Sequence, residues 1–306
     1  MEQLVTIAIP AYKTTYLKEA IVSALSQTYT NIEVIVVDDK SPNNIKEIVD
    51  AFDDDRVKYY RNETNLGAKD PAGNWNRCLE LAQGEYFALL CDDDLYKPTF
   101  VEEMLKLSVA YPDCNVFRSR CATIDKHGEV VQLYPSSPAW ETSEDYMWHV
   151  FNDLRRQTIS EFMYRTSYIK AIGGYSRLPL AWNADYISTF RLSNQGGIAS
   201  VNQPLVCFRM SGENISSKST HGLEKIEANL QAWQQCKELI TENSPYYQLL
   251  IKTLDKWKYH LDRYQVAMMD FNDALQVFRQ RKRFSLSVSF FVKCVIWGVI
   301  YRRDRQ

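Results

Sequence analysis

The chain lacks the spaced cysteine and histidine ligands that mark zinc sites and disulfide frameworks. Its 306 residues include seven cysteines, an odd number without CxxC spacing, and four scattered histidines without an HExxH motif. A zinc site is therefore not expected, and reduced thiols in a cytosolic protein are the simplest account of the cysteines. The formal net charge is only -2, which argues against a nucleic-acid partner.

Internal repeats and low-complexity tracts are absent from the sequence, and a signal peptide is not expected. The apolar residues 5–9 are too few for the apolar core of a leader, and no basic segment precedes them. Hydrophobic residues make up 45% of the chain. A chain of this length and composition can bury one large core and carry an appendage, as a globular cytosolic enzyme does.

Three adjacent aspartates are the most informative feature that is present. Asp92, Asp93 and Asp94 directly follow the apolar residues 86–90. Adjacent carboxylates repel one another and stay ionised most easily beside a cation, and Mg²⁺ or Mn²⁺ prefers such oxygen ligands and also binds diphosphates. The run therefore indicates metal-assisted chemistry on a nucleotide. The alternative is an acidic turn that caps the helix beginning near Pro98.

A second acidic pair, Asp38 and Asp39, follows residues 31–37, a mostly apolar stretch that reads as a strand buried on both faces. Between the two acidic groups the pattern of apolar residues alternates between strand and helix. Strands are predicted at residues 4–9, 31–37, 57–60 and 86–90, and helices near residues 15–27, 44–52 and 74–83. This alternation predicts a parallel sheet with helices on both faces, and both acidic groups then lie at its carboxyl edge, where ligands bind.

Several ordered motifs carry a resemblance to a known family. They are VTIAIPAYKTTYLKEAIVSALSQTYTNIEVIVVDDKS, Asn65-Leu66-Gly67, NRCLELAQGEYFALLCDDDLYKP, GGYSRLPLAWNADYISTFRL and PLVCFRMSGENIS. Over roughly the first two thirds of its length the chain resembles the inverting family 2 glycosyltransferases, of the nucleotide-diphospho-sugar transferase superfamily. The resemblance implies an α/β GT-A fold, which is a Rossmann-like, mostly parallel sheet flanked by helices.

The resemblance assigns residues to the nucleotide. Asp39 would accept a hydrogen bond from the imide N–H of uracil, which favours a UDP-sugar. Pro10 and Tyr12 would line the pocket that holds the base. Asp38 would orient the loop, and a capping role is the alternative for Asp39. Asp92 would face the ribose hydroxyls.

Three further positions match the family's nucleotide-binding elements. Asn65 and Gly67 match an Asn-x-Gly element in which the backbone approaches the nucleotide closely. Residues 68–73 are expected to lengthen the next loop. Asn76 follows this loop and matches a further nucleotide-binding position of the family. Arg209 would pair with the diphosphate.

The family's metal motif is Asp-x-Asp-Asp, and Cys91 stands at its first position here. Asp93 and Asp94 are the predicted ligands of a divalent ion, Mn²⁺ or Mg²⁺, and Asp94 is also a candidate for a capping role. The family's late histidine is replaced by Ser211, which cannot supply an imidazole.

The acceptor half of the resemblance centres on Asp185. It matches the catalytic base, although Ala184 replaces the acid that often precedes it, and a helix N-terminal acid is the alternative role. One displacement would invert the anomeric configuration. Trp182 would line the sugar or acceptor pocket or belong to the core.

The last part of the chain has a different residue pattern, which is typical of helices. We predict a domain boundary near residue 221, with a GT-A domain at 1–221 and a helical region at 222–306 whose helices span residues 222–236 and 246–283. Residues 284–301 are apolar and have cationic flanks, and Ser285, Ser289 and Lys293 recur every four residues. This pattern favours a helix lying on an anionic membrane surface, and a docked terminal helix is the alternative.

Three functions follow as hypotheses. The first is a glycosyltransferase on the cytoplasmic face of the membrane that moves a sugar from a nucleotide-sugar donor to a glycan or lipid-linked glycan of a bacterial surface polysaccharide. The second is a noncatalytic nucleotide-binding member, suggested by Cys91, Ala184 and Ser211. The third is a nucleotidyltransferase, but the loop Pro10-Ala11-Tyr12 lacks the glycines and lysine expected of one.

Overall fold

One mixed sheet of ten strands organises the chain. The structure is a computed structural model that describes residues 2–67, 69–212 and 220–303, and the side chains of residues 298–303 lie outside the description. The strands are β1 (Val5–Ala11), β2 (Ile32–Asp38), β3 (Val57–Arg61), β4 (Tyr86–Leu89), β5 (Leu95–Tyr96), β6 (Val116–Ile124), β7 (Val130–Leu133), β8 (Trp140–Glu141), β9 (Phe162–Arg165) and β10 (Ile198–Arg209).

Helices connect these strands and form the C-terminal region. They are α1 (Leu17–Leu25), α2 (Ile45–Asp50), α3 (Pro71–Leu81), α4 (Phe100–Ala110), α5 (Ser143–Phe151), α6 (Thr166–Ala171), α7 (Ala184–Ser193), α8 (Gly222–Leu239), α9 (Tyr247–Met268), α10 (Phe271–Arg279) and α11 (Val288–Arg303). Short 3-10 turns cover Ile159–Glu161 and Pro179–Ala181.

The strand order is β3-β2-β1-β4-β9-β6-β10-β5, with β7 beside β6 and β8 beside β10. The four strands from β3 to β4 are parallel, as the alternating pattern predicts. Strand β9 is antiparallel to both β4 and β6, and β6 and β10 are parallel to each other. The carboxyl ends of β1, β2, β4, β6 and β10 therefore lie at one edge of the sheet.

Both faces of the sheet are covered by buried apolar side chains. Ile7 and Val34 point into one core, beneath α1 and α4, while Ala8 and Ile35 point into the other, beneath α3, α5 and α7. Neighbouring residues of a strand point to opposite faces. Strands buried on both sides read as continuous apolar runs, which is the pattern seen in β1 and β2.

Two of the predicted helices have different bounds in the structure. Helix α3 begins at Pro71, because the Asp70 side chain caps it by accepting a hydrogen bond from the backbone N–H of Gly73. Most of the expected loop at 68–73 is thus the cap and first turn of this helix, while Ala68 lies outside the described residues. The long helix expected at 246–283 is instead α9 and α10, separated at Asp270, which caps α10.

Helices α8 and α9 pack into the same core as the sheet. Ala228, Ala232, Leu254 and Trp257 are buried in the cluster that also holds Phe87 of β4 and neighbouring strand residues. The division into domains 1–221 and 222–306 stays a prediction. In the structure, the two parts share one hydrophobic core.

A buried chain of polar side chains crosses the same boundary. Asn183, just before α7, donates to Asn229 of α8 at 3.0 Å, and Asn229 donates to Asp262 of α9 at 3.0 Å. Lys258 pairs with Asp262 at 2.6 Å and also donates to the carbonyl of Phe284 at 3.4 Å. We call these four side chains the α8–α9 network.

The terminal apolar segment is not a single helix. Ser285 lies in a turn with a φ of 60°, and the helix begins at Val288, so Ser285 does not share a helical stripe with Ser289 and Lys293. Among the described residues, none of the helices combines the length and the apolar character needed to cross a membrane.

Candidate active site

Three loops meet at the carboxyl edge of the parallel strands. The backbone N–H groups of Tyr12 and Lys13, after β1, donate to Asp92 Oδ2 at 3.0 and 2.8 Å. The backbone N–H of Asp39, after β2, donates to the carbonyl of Ala11 at 2.9 Å. The two groups of acids that are separate in the sequence are therefore joined through the loop after β1.

Asp39 is buried and is held by the loop that contains Gly67. Its Oδ1 accepts from the Asn62 amide at 2.8 Å and from the Leu66 N–H at 2.9 Å, and its Oδ2 accepts from the Gly67 N–H at 2.6 Å. A Cβ on Gly67 would lie 2.8 Å from Asp39 Oδ2. The missing side chain of Gly67 therefore allows its backbone to approach the carboxylate of Asp39.

Asp38 points away from this loop and is buried. It accepts from the hydroxyl of Tyr59 at 2.6 Å, from the guanidinium of Arg61 at 2.8 Å and from the N–H of Ser41 at 2.7 Å. These contacts are those expected of a residue that orients the loop after β2.

Asp92 and Asp93 converge on one cation. The Lys13 ammonium lies 3.4 Å from Asp92 Oδ1 and 2.6 Å from Asp93 Oδ2. Burial raises the pKa of Asp92, and the charge of Lys13 opposes this rise. Burial would lower the pKa of Lys13, but the two carboxylates raise it. The position between these carboxylates thus stabilises a positive charge, and its oxygen donors fit a hard divalent ion.

Asp94 is turned into the interior. Its Oδ2 accepts from the Ser160 hydroxyl at 2.6 Å and its Oδ1 from the backbone N–H of Arg209 at 3.0 Å. Burial and the charge of Asp93 raise the pKa of Asp94 to about 7. Because both oxygens are engaged, these contacts favour a loop-fixing role for Asp94 over coordination, which stays a prediction.

Arg209 contacts the loop that carries Asp92, Asp93 and Asp94, called here the aspartate loop. Its guanidinium donates to the backbone carbonyl of Asp93 at 3.0 Å and to Glu19 at 2.7 Å, and it lies over the ring of Tyr16. The side chain is buried. Ser211, at the position of the family's histidine, donates to Asp93 Oδ2 at 3.3 Å. The predicted contact of Arg209 with diphosphate stays a prediction.

The other predicted nucleotide-binding residues differ in their exposure. Tyr12 is exposed beside the aspartates, and Pro10 is half-buried at the end of β1. Asn65 is half-buried in the loop before Gly67. The amide of Asn76 exchanges two hydrogen bonds with the backbone of Tyr175, at 3.0 and 2.7 Å, so these bonds join α3 to the loop after α6.

Asp185 lies in the first turn of α7, and its carboxylate has one side-chain donor among the recorded contacts. The amide of Gln157 donates to Asp185 Oδ2 at 3.2 Å. Burial raises the pKa of Asp185 to about 6, and the hydrogen bond from Gln157 opposes this rise. A carboxyl with such a pKa accepts protons near neutral pH.

The segment before Asp185 has an unusual backbone. Leu180, Ala181 and Asn183 have φ values of 57°, 51° and 63°, in the left-handed region that residues with a Cβ rarely adopt. Such conformations cost about 1–3 kcal/mol each and cluster at functional sites. The strain marks this loop as a candidate part of the site.

Sequence reasoning missed several residues of the site. Lys13 is next to the predicted Tyr12, and its position in the loop after β1 was the available signal. Arg118 and Glu161 form a buried ion pair at 2.6 Å, and Ser160 fixes Asp94. No sequence motif marks these contacts, because they join residues from distant parts of the chain. Cys91 stays a thiol, since burial raises its pKa well above the usual value.

A second group of candidate ligands lies at the other end of the sheet. In the described part of the chain, Glu141, Asp145 and His149 place one ligand atom each within 4.8 Å of one another. Glu141 pairs with Ile198 at the start of β10, whereas the aspartate loop contacts the end of that strand. Arg155 Nε lies 3.6 Å from Glu141 and supplies one positive charge beside this group.

The family model for glycosyl transferase family 2 matches residues 6–165. Among curated proteins, the glycosyltransferase GlyG of Streptococcus pneumoniae is 38% identical over 107 residues, which cover 34% of this chain and 35% of that protein. An uncharacterized glycosyltransferase of Haemophilus influenzae is 27% identical over 263 residues, covering 80% of this chain and 74% of the relative. The match to GlyG thus spans only about a third of that relative.

Solved structures share the fold at low sequence identity. Residues 1–349 of Staphylococcus aureus TarS, in complex with UDP-GlcNAc, superpose with a TM-score of 0.71 at 16% identity, covering 100% of this chain and 93% of that one. The mannosyltransferase PcManGT of Pyrobaculum calidifontis, in complex with GDP-Man and Mn²⁺, gives 0.59 at 12% identity, covering 96% and 86%.

These similarities confirm the GT-A fold, with helices following it at the C-terminus. The family model covers more than half of the chain, and it includes the loops that carry Asp39 and Asp93. The chain belongs to glycosyl transferase family 2.

Proposed function

We propose that the protein transfers a sugar from a nucleotide-sugar donor, with a UDP-sugar favoured, to an acceptor hydroxyl with inversion of configuration. The observation that carries this proposal is the separation of two kinds of carboxylate. Asp92 and Asp93 are paired with a cation at the sheet edge, whereas Asp185 lies in a buried setting that raises its pKa to about 6. One group suits a charged leaving group, and the other suits proton transfer.

The donor half of the site would be built by the loops after β1 and β2. Asp39 is held in place by the loop that contains Gly67, and its Oδ2, which accepts from the Gly67 N–H, would use its second lone pair to accept the uracil N–H. Tyr12 is exposed and would pack against the base, with Pro10, Asn65, Asn76 and Asp92 as further predicted contacts. Relatives of this fold support a nucleotide sugar, since TarS binds UDP-GlcNAc and PcManGT binds GDP-Man.

The diphosphate would be held beside Asp93. A divalent ion there, Mn²⁺ or Mg²⁺, would supply Lewis-acid stabilisation of the charge on the departing diphosphate. Asp93 is the favoured protein ligand, Asp94 and the backbone of Arg209 fix its loop, and Ser211 contacts it directly. Lys13 lies 2.6 Å from Asp93 and is within reach of phosphate oxygens at the same place.

Asp185 would act on the acceptor. Its carboxylate takes the proton of the acceptor hydroxyl as that oxygen attacks the anomeric carbon from the face opposite the diphosphate. The C–O bond to the diphosphate breaks in the same step, and the configuration inverts. The strained segment before α7 would fix Asp185 relative to the donor.

Donor hydrolysis and transfer by the purified protein test this proposal. The assay uses a panel of UDP-linked and GDP-linked sugars with Mn²⁺. Asp185→Asn should lower turnover by at least about a hundredfold and leave UDP binding nearly unchanged, because general-base loss affects the chemical step. The matched control is Asp113→Asn, an exposed acid away from the site.

Each outcome has a distinct meaning. Nucleotide binding without turnover in the wild type would indicate the noncatalytic alternative suggested by Cys91 and Ala184. Wild-type turnover in Asp185→Asn would move the base elsewhere, with Glu161 the next acid to test. Glu213, the other acid considered from the sequence, lies outside the described residues.

The acceptor and the place of action complete the proposal. We propose a glycan or lipid-linked glycan acceptor of bacterial surface polysaccharide assembly, reached from the cytoplasmic face of the membrane. The support is an outward apolar stripe on α11, formed by Val288, Val292, Val295 and Ile296, whose side chains are 41–54% exposed. Lys293 is exposed beside this stripe, and Lys282 and Arg283 precede it. Apolar side chains flanked by cations suit an anionic lipid surface.

A further inference from the structure

We propose that Gln157 is the positioning residue of the active site, and that its amide holds the Asp185 carboxylate in the orientation in which it receives the acceptor proton. This proposal rests on the assignment of Asp185 as the base. Gln157 lies just before the 3-10 turn Ile159–Glu161 and is buried.

A directed chain of hydrogen bonds ends at Asp185. The hydroxyl of Tyr146 donates to Gln157 Oε1 at 2.6 Å, and Gln157 Nε2 donates to Asp185 Oδ2 at 3.2 Å and contacts Thr189 Oγ1 at 3.4 Å. If the amide were rotated by half a turn, its oxygen would face the carboxylate and the two would repel each other. The Asp185 carboxylate therefore selects the amide orientation that presents N–H groups to it, and the Tyr146 hydroxyl supports that orientation by donating to Oε1.

Arg118 fixes this chain of hydrogen bonds to the sheet. Its guanidinium pairs with Glu161 at 2.6 Å, donates to the carbonyl of Arg156, and lies 5.3 Å from the centre of the Tyr146 ring. These contacts lie on both sides of Gln157 in the sequence, and one also holds its hydrogen-bond donor Tyr146. The amide is thus attached to a rigid support, as a positioning group must be.

The hydrogen bond also affects the charge on Asp185. Burial raises the pKa of Asp185, and donation by Gln157 opposes this rise because it stabilises the carboxylate. The other titratable groups around it are three tyrosines and Glu161, which is paired with Arg118 and whose pKa burial raises to about 7. The tyrosines are Tyr146, Tyr164 and Tyr186, and burial raises the pKa of each, so they stay neutral where Asp185 titrates.

The test is the pH dependence of donor hydrolysis in Gln157→Met, which keeps the side-chain volume and removes the hydrogen bond. We expect turnover to fall about tenfold or more, the KM for the donor to stay constant, and the acid limb of kcat to move up by about one pH unit. Tyr146→Phe should move the limb in the same direction by less, because the amide loses the hydroxyl that supports its orientation but keeps its bond to Asp185. The double variant should add little to Gln157→Met, because both substitutions disrupt the same chain of hydrogen bonds.

A matched control separates positioning from loss of stability. Gln27 is also buried, and its amide joins α1 to the N-terminal region of α4 far from Asp185, so Gln27→Met should lower stability without moving the acid limb. An unmoved limb in Gln157→Met would overturn the proposal, whatever its turnover. If Asp185→Asn retains turnover, the assignment of the base fails. If Asp185→Asn is inactive and the limb of Gln157→Met is unmoved, only the role of Gln157 fails.

Discussion

At the scale of single residues, the site depends on carboxylates whose surroundings differ. Asp93 contacts a cation, Asp94 contacts a hydroxyl and a backbone N–H, and Asp185 contacts an amide. The sequence places the first two side by side, but it carries no information on which way each side chain points. The different surroundings allow neighbouring residues of the same type to have separate roles.

The wild-type pH profile follows from the state of Asp185. A general base must be deprotonated, and the pKa of Asp185 is raised to about 6. Donor turnover should therefore be low below about pH 5, rise through about pH 6 and level off above it. Measuring kcat from pH 4.5 to 8 checks this, with circular dichroism at each pH as the control for unfolding. A flat profile in a folded protein would contradict the assignment.

Asp93 should matter more for metal-dependent binding than for folding. Asp93→Asn keeps the packing volume and removes a negative charge beside Lys13. We expect calorimetry to show UDP binding by the wild type with Mn²⁺, its loss with chelator, and weakening by at least about tenfold in Asp93→Asn. Asp50→Asn, at an exposed acid of α2, is the control. Equal affinity with and without metal in both proteins would exclude a metal at this position.

Gly67 should be sensitive to any added side chain. A Cβ there would lie 2.8 Å from Asp39 Oδ2, so Gly67→Ala must displace either the carboxylate or the loop. We expect UDP affinity to fall about tenfold, with calorimetry as the measurement. Unchanged affinity in Gly67→Ala would mean that Asp39 does not contact the nucleotide.

At the scale of helices and strands, the sequence predicts the parallel half of the sheet well. Strands β1, β2 and β4 are buried on both faces, and continuous apolar runs bounded by acids reveal them. Strand β9 is not predictable in the same way. It inserts antiparallel between β4 and β6, a pairing decided by contacts between distant segments.

Two helix starts also differ between the sequence prediction and the structure. The signals for the start of α3 and α10 are present, since Asp70 directly precedes Pro71 and Asp270 directly precedes the helical run that begins at Phe271. Both are favoured helix N-caps. The extra residues 68–73 resemble a loop insertion and the apolar spacing continues across Asp270, so neither cap stands out in the sequence.

The apolar stripe of α11 should determine membrane binding. Val292→Glu places a charge in the middle of the stripe and should reduce flotation with vesicles containing anionic lipid by at least about tenfold. Wild-type binding should weaken with salt and with neutral lipid, because cations flank the stripe. Val109→Glu, on exposed α4, is the control. Failure of the wild type to bind anionic vesicles would favour a docked helix without lipid contact.

At the scale of the whole molecule, the C-terminal helices α8 and α9 are part of the core that the sheet shares, while α10 and α11 pack in a separate apolar cluster. The residue pattern changes after residue 221, and this change predicts a separate region. Helices α8 and α9 nevertheless bury apolar residues against the sheet domain. A change in the residue pattern indicates which secondary structure a segment forms. It does not indicate which other elements that segment packs against. The α8–α9 network adds hydrogen bonds from Asn183 to Asp262 across this boundary.

Breaking this network should destabilise the whole protein. Asn229→Leu leaves Asn183 without its recorded acceptor and Asp262 with one partner fewer, and should lower the free energy of unfolding by about 1–3 kcal/mol. Denaturant unfolding measures this, and Asn272→Leu at an exposed position of α10 is the control. An unchanged free energy of unfolding would show that the network contributes little to stability.

The α8–α9 network also has a consequence for the synthesis of the protein. A growing chain that has reached residue 221 holds every predicted donor-site aspartate, yet it has neither Asn229 nor Asp262 to complete the contacts of Asn183. The segment before Asp185 can settle only after α8 and α9 have left the ribosome. We therefore expect the emerging polypeptide to gain nucleotide affinity first and catalytic competence last, after translation has passed the end of α9 at Met268.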